Sequence, residues 1–200
     1  MGYSGHAYVV AEAAVLSGLE VIGYADKFEA ESNPLNLQYF GDESGKDFTG
    51  WKAAGKFILG IGKNSIRNKV AQIIKQNEGE CLTVVHPDSS VSKLSSIGAG
   101  TFIARNVSVN PMCEIRENVI LNTSCSVDHD CKIHRGAHIA PGAVLAGNVT
   151  VGEEAFVGAN SVIREGVKIG AGAVVGAGSV ILKDVPPGAL VAGNPGKTIK

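Results

Sequence analysis

Charge of either sign is scarce in this sequence. Asp, Glu, Lys and Arg make up 18% of its 200 residues, and 18 basic against 19 acidic side chains leave a net charge of −1. That balance argues against a nucleic-acid partner, because neutralising phosphates needs a concentrated basic surface. No apolar run approaches the roughly 20 residues that span a bilayer. No basic stretch followed by an apolar one opens the sequence, so no secretory signal is read. Cysteine is limited to Cys81, Cys113, Cys125 and Cys131, with no CxxC spacing. Outside a secretory context these read as reduced thiols, not as a disulfide framework. Glycine, by contrast, is plentiful: 26 residues in a chain that is neither proline-rich nor of low complexity. Many tight turns follow, and with them a search for repeats. The expectation is a cytoplasmic, turn-rich protein of one or two domains.

One repeat dominates. Stepping by six from Val91 through Ile97, Ile103 and Val109 to Val175 and Ile181 gives sixteen branched aliphatics without an insertion. Four residues after each stands Ser, Thr, Ala, Val or Cys, never anything larger. Three residues after each, twelve of the sixteen are Gly, Asn or Asp, the types that enter the left-handed backbone region at least cost. A helix cannot produce this pattern, since six residues at ~100° advance each aliphatic by ~240° around the axis. A short strand with a turn every six residues can. The large aliphatic points inward, the small residue fills the corner, and the left-handed residue makes the bend. Three such faces close a triangular prism with 18 residues per coil and about five coils.

The N-terminal third reads differently. Gly5-His6 opens a helix with Ala7, Val10, Ala13, Ala14 and Ser17 on one face, closed by Gly18. Strands are expected over Glu20–Ala25, Lys56–Ile61 and Glu80–Val85, with a helix carrying Ile66, Val70, Ile73 and Ile74 between the last two. Alternating helix and strand implies a small parallel sheet, whose ligands gather at strand carboxyl ends and helix N-termini. Ser4-Gly5-His6, Asp26 and Gly62 fall at such ends.

The uninterrupted hexads resemble those of the left-handed parallel β-helix acyltransferases. Together with the α/β third they resemble the nucleotide-sugar acetyltransferase family that includes bacillosamine-pathway N-acetyltransferases and sialic acid O-acetyltransferases. The matching segments are Gly2-Tyr3-Ser4-Gly5-His6, Gly60-Ile61-Gly62-Lys63-Asn64 with Arg67, His86-Pro87, and Val127-Asp128-His129-Asp130-Cys131 running on through His138 to Gly147-Asn148-Val149. The resemblance implies a Rossmann-like α/β domain over 1–85, an all-β left-handed β-helix over 86–186, and a tail over 187–200 near coenzyme A. The family pattern has a β-strand ahead of the SGH segment, where this sequence has only Met1. Either the sheet is short of its first strand or the sequence begins late.

His129, His134 and His138 cluster on the repeat. His129 is third in its hexad, beside the turn, and Asp130 follows it. A neutral imidazole next to a carboxylate suits a general base, because the carboxylate stabilises the imidazolium that forms. Gly147 lies 18 residues on, hence one coil away at ~4.8 Å, where a bare backbone N–H can meet an oxyanion. The resemblance makes His129 the base, Asp130 the group that raises its basicity, and Gly147 the amide on the thioester carbonyl. It sets His138, Ala159 and Ala177 along acetyl-CoA, with Lys197 near the CoA phosphates. It places Ser4, Gly5, His6, Asp26 and Gly62 around a nucleotide sugar. His134 reads as surface, and Cys113, Cys125 and Cys131 as packed corner residues.

The resemblance thus implies acetyl transfer from acetyl-CoA to the amino group of a UDP- or GDP-linked 4-amino-4,6-dideoxy sugar, in a homotrimer with active sites between subunits and no metal. O-acetylation of sialic acid is the alternative, since a hydroxyl acceptor needs the same base and oxyanion donor. More remote are a non-catalytic scaffold and a zinc protein of the carbonic anhydrase type. The latter would place its third histidine where this chain has Lys93, and zinc needs three protein ligands plus water.

Overall fold

The computed structural model describes residues 1–45, 48–53 and 55–199. From Val84 to Ile181 the chain winds as a parallel β-helix of two-residue strands. The first face holds Ser96–Ile97, Glu114–Ile115, Lys132–Ile133, Thr150–Val151 and Lys168–Ile169. The second includes Phe102–Ile103, Ile120–Leu121, His138–Ile139 and Phe156–Val157. The third includes Ser108–Val109, Ser126–Val127, Val144–Leu145 and Val162–Ile163. Register steps by one full coil, as in Ile120 against His138 and Ser126 against Val144.

The hexad chemistry explains this winding. Ile103, Ile115, Leu121, Ile133, Ile139, Leu145 and Ile163 are all buried in one continuous core. Removing each from water stabilises the fold by roughly 1.5–3 kcal/mol. Positive φ recurs at the bend position, at Asn106, Asn118, Asp130, Asn148 and Asn160 as well as at glycines. Met112, Ser124 and Glu154 adopt it too, although their side chains do not favour it. There the ladder on either side fixes the turn, and the local cost is absorbed.

In the N-terminal unit, α1 (Gly5–Leu16), α2 (Gly50–Ala53) and α3 (Asn64–Gln76) flank short parallel strands. Gly23–Tyr24 pairs with Gln38–Tyr39, and Lys56–Phe57 with Glu80–Cys81. Met1 and Gly2 lie between the two pairs and bond to both. The Met1 nitrogen donates to Ile58 O at 2.9 Å, Gly60 N–H donates to Met1 O at 2.8 Å, and Gly2 N–H to Ala25 O at 2.8 Å. An apolar cavity of about 380 Å³ is bordered by Val21, Ile22, Lys56, Phe57 and Ile58. The expected strand over Glu80–Val85 is divided. Glu80–Cys81 stays with the N-terminal unit, whereas Val84–Val85 pairs with Phe102–Ile103 and opens the second face of the β-helix.

The α/β unit docks on that second face. The outward residues Phe102, Ile120 and His138 are buried beneath it, at 2%, 0% and 8% exposure. Arg67 of α3 is the clamp, wholly buried, donating to Asn118 O, Gly136 O and Ala137 O of the β-helix and to Ile61 O and Gly62 O of its own unit. Among the described residues no helix is long and apolar enough to cross a membrane.

Candidate active site

The corner between the third and first faces carries His129. Its Nδ1 lies 2.8 Å from Asp130 Oδ2, and its side chain is about half exposed. Asp130 occupies the bend with φ 60°, so the turn itself aims the carboxylate at the ring. That hydrogen bond, then the charge of Asp128, raises the His129 pKa above its usual 6.5. With Nδ1–H donated to the carboxylate, Nε2 carries the lone pair that faces solvent. Asp128 is held in turn by Asn110 Nδ2 at 2.7 Å and by the His129 N–H at 2.8 Å, and its carboxyl falls below the ordinary range for those reasons.

Gly147 stands one coil on, fixed by Asn148 N–H donating to His129 O at 2.8 Å. The imidazole leans over it so closely that a Cβ on residue 147 would meet His129 Cε1 at 2.6 Å. Among the described residues no acceptor takes the Gly147 N–H. A base, its orienting carboxylate and a free amide donor therefore meet at one corner, which is the arrangement acyl transfer requires.

The expected sugar-binding residues assemble elsewhere. Tyr3 N–H donates to Asp26 Oδ2 at 2.9 Å, which ties Asp26 to the start of α1 and so to Ser4, Gly5 and His6. The His6 ring lies next to Gly62 and packs on Phe102 at 5.8 Å and on His138 at 6.2 Å between ring centroids. His138 bonds Asn122 through Nε2 at 3.1 Å and packs edge-on against Phe156. Among the described residues, His138 Nδ1 and His6 Nε2 are buried without a hydrogen-bond partner. Burial, then the charge of Arg67, lowers both imidazoles to about 4, so both are neutral.

Ala159 and Ala177 sit one coil apart at the corner between the second and third faces, linked by Gly178 N–H donating to Ala159 O at 2.8 Å. Lys197 is exposed on the final strand, Lys197–Thr198, antiparallel to Val191–Ala192. His134 is exposed at the corner between the first and second faces, across the first face from His129. The cysteines are free, and burial pushes the Cys125 thiol up to about 12.

One separation matters most. His129 projects from the corner opposite the second face, whereas His6 packs on Phe102 and His138 of that face, with Gly62 beside it and Asp26 tied to the same helix start through Tyr3. A single chain does not bring the two groups together. The sequence reading missed Arg67 as a clamp and Asn122 as the partner of His138. Asn122 lies 16 residues before His138, two past its register partner Ile120, so the 18-residue repeat does not single out the pair.

A triangular β-helix bearing an oriented histidine over a glycine with a free amide, and carrying an α/β unit on one face, defines an acyltransferase of the hexapeptide-repeat class. The family described as "Bacterial transferase hexapeptide (six repeats)" is matched over residues 112–147 and 148–183, and the "PglD N-terminal domain" over residues 1–74. The acetyltransferase domain of PglB from Neisseria gonorrhoeae FA1090, solved with acetyl coenzyme A, is 32% identical with a TM-score of 0.92, covering 99% of this chain and 96% of that one. PerB from Caulobacter crescentus, solved with CoA and GDP-perosamine, is 32% identical with a TM-score of 0.93, covering 100% and 95%. The UDP-N-acetylbacillosamine N-acetyltransferase of Bacillus subtilis (strain 168) is 36% identical over 47 residues, which span 24% of this chain and 22% of that relative. The chain belongs to the hexapeptide-repeat sugar acetyltransferases that carry a PglD-type N-terminal domain.

Proposed function

We propose that this protein transfers the acetyl group of acetyl-CoA to the amino group of a UDP- or GDP-linked 4-amino-4,6-dideoxy sugar, in the cytoplasm and for surface glycan synthesis. The observation that carries the reading is His129, oriented by Asp130 and lying over the free amide of Gly147. The sugar amine attacks the thioester carbonyl carbon while His129 Nε2 takes its proton. The Gly147 N–H donates to the oxyanion. Collapse breaks the carbon–sulfur bond, and the imidazolium returns the proton to the departing thiolate. A positioned base contributes ~10²–10⁴ in rate, and an oxyanion donor about 3 kcal/mol.

The nucleotide sugar is held by Ser4, Gly5, His6, Asp26 and Gly62. Acetyl-CoA runs along the corner of Ala159 and Ala177, with Lys197 near its phosphates. His138, with His6, offers an uncharged hydrogen-bonding atom at the acetyl-CoA side of the pocket. Because His129 and Asp26 stand on opposite sides of one prism, a complete site takes the His129 corner from one chain and the sugar pocket from another. A homotrimer with sites between subunits meets that requirement.

The test is thiol release from acetyl-CoA with a panel of UDP- and GDP-linked 4-amino sugars plus free sialic acid, run in parallel with His129→Ala. Turnover with one nucleotide amino sugar, lost in the variant, is expected. Turnover with sialic acid alone would move the protein to O-acetylation. Absence of acetyl-CoA binding would overturn the acyltransferase reading.

A further inference from the structure

The corner that holds His129 and Gly147 continues to Glu165, because Gly166 N–H donates to Gly147 O at 3.0 Å in the same register. Coils spaced ~4.8 Å apart place the Cα atoms of residues 129 and 165 about 10 Å from each other. The residue between them has no side chain. The His129 ring already leans across it. A slot results, with an imidazole on one wall, a carboxylate on the other and a free amide between.

The three acidic groups around His129 are not equivalent. Asp130 is engaged by His129 Nδ1, and Asp128 by Asn110 and the His129 N–H. Glu165 is exposed, and among the described residues no basic group lies within ion-pair distance of its carboxylate. Its charge is felt at the ring, where it adds to Asp130 and Asp128 in raising the imidazole's pKa. Lys183 follows on the next coil, on the side of Glu165 away from His129.

We propose that Glu165 is a specificity-determining residue, which selects acceptors whose nucleophile arrives as an ammonium over those presenting a neutral hydroxyl. This rests on the N-acetyl transfer reading above. An aliphatic amine with a pKa near 8 is mostly protonated at neutral pH. The carboxylate holds it through a charge-assisted hydrogen bond beside the base. One proton leaves to solvent and frees the lone pair. The second passes to His129 as the nitrogen–carbon bond forms, and from there to the CoA thiolate. Overall, ammonium and thioester give amide, thiol and one proton in solution. Glu165 holds and orients the ammonium, and His129 remains the base.

The experiment compares the full-length enzyme with Glu165→Gln and Glu165→Asp. It uses the amino-sugar nucleotide that supports turnover and, as a competitive inhibitor, its analogue with hydroxyl in place of the amine. In Glu165→Gln the KM for the amine acceptor should rise about tenfold. Inhibition by the hydroxyl analogue and the KM for acetyl-CoA should stay within about twofold, a margin of roughly 0.4 kcal/mol. The acidic limb of kcat/KM should move to lower pH, and Glu165→Asp should recover part of the loss. Equal weakening of both ligands, or an unchanged acceptor KM and pH limb in a variant with wild-type Tm, would overturn the inference. Wild-type turnover with hydroxyl acceptors alone would instead remove the reading beneath it.

Discussion

The imidazole of His129 rests on the backbone of Gly147, the next residue up its own corner, so closely that any side chain at 147 would displace it. Gly147 does not have positive φ, and the atom in the way is the tip of a half-exposed side chain. Gly147→Ala should therefore fold with nearly wild-type Tm, while the ring swings off its line to the thioester. We expect kcat/KM to fall by about 10²–10³, the combined effect of a misplaced base and a crowded amide donor. Thiol release beside a melting curve checks it, and a Tm loss matching the activity loss would refute it.

Asp130→Asn separates orientation from basicity. Asn tolerates the left-handed backbone of position 130, so the turn should persist. The carboxylate raises the His129 pKa by stabilising the imidazolium, so its removal lowers that pKa. The base must be unprotonated to act, and activity rises with pH through the pKa. The acidic limb of kcat/KM should shift to lower pH in the variant while the plateau drops, by about tenfold or more. A pH–rate profile settles the direction, and a limb moving upward contradicts the assigned role.

His6 and His138 couple stability to acid. Each titrates near 4 in the folded protein instead of 6.5, through burial first and Arg67 second. Between those pH values the unfolded chain binds protons that the native chain does not. The stabilisation is complete above pH 6.5 and is lost as pH falls toward 4, at about 1.4 kcal/mol per unit for each histidine. Urea midpoints from pH 7 to 4.5 should decline, and His6→Asn combined with His138→Asn should flatten the slope. Parallel curves for the two proteins would exclude this source of acid lability.

The division of the site between chains proposed above predicts complementation. His129→Ala and Asp26→Asn should each be inactive alone. Refolded together at equal amounts, random mixing leaves about a quarter of the sites with both residues intact. Thiol release should recover to about that fraction. No recovery from mixed oligomers, verified by tagged subunits, would place both halves in one chain.

The β-helix was legible because its period is enforced by burial at every step, so Ile103 or Leu145 carries its role in its position. Gly147 was legible for the same reason, by counting one coil from His129. The left-handed bends at Met112, Ser124 and Glu154 carry no signal in residue type and follow from the ladder around them. The meeting of His6 with His138 is different. It depends on how the α/β unit lies on the second face, and that is decided by Arg67 reaching carbonyls 51 and 69 residues away. Nothing local to either histidine encodes it. The division of Glu80–Val85 was also invisible, since both halves are apolar enough to be strand and only their partners differ.

The strict coil register also makes this molecule a ruler. Every residue along a corner is separated from the next by one strand spacing, and no intermediate value is available without breaking the ladder. A cut of three whole hexads between Gly147 and Ala177 would restore every backbone hydrogen bond and leave the core continuous. It would also bring the far end of the corner nearer to His129 by one fixed increment. The length of donor arm that such a scaffold accepts is thus quantised in whole coils; the cut takes Ala159 and Glu165 with it but leaves His129, Asp130 and Gly147 in place.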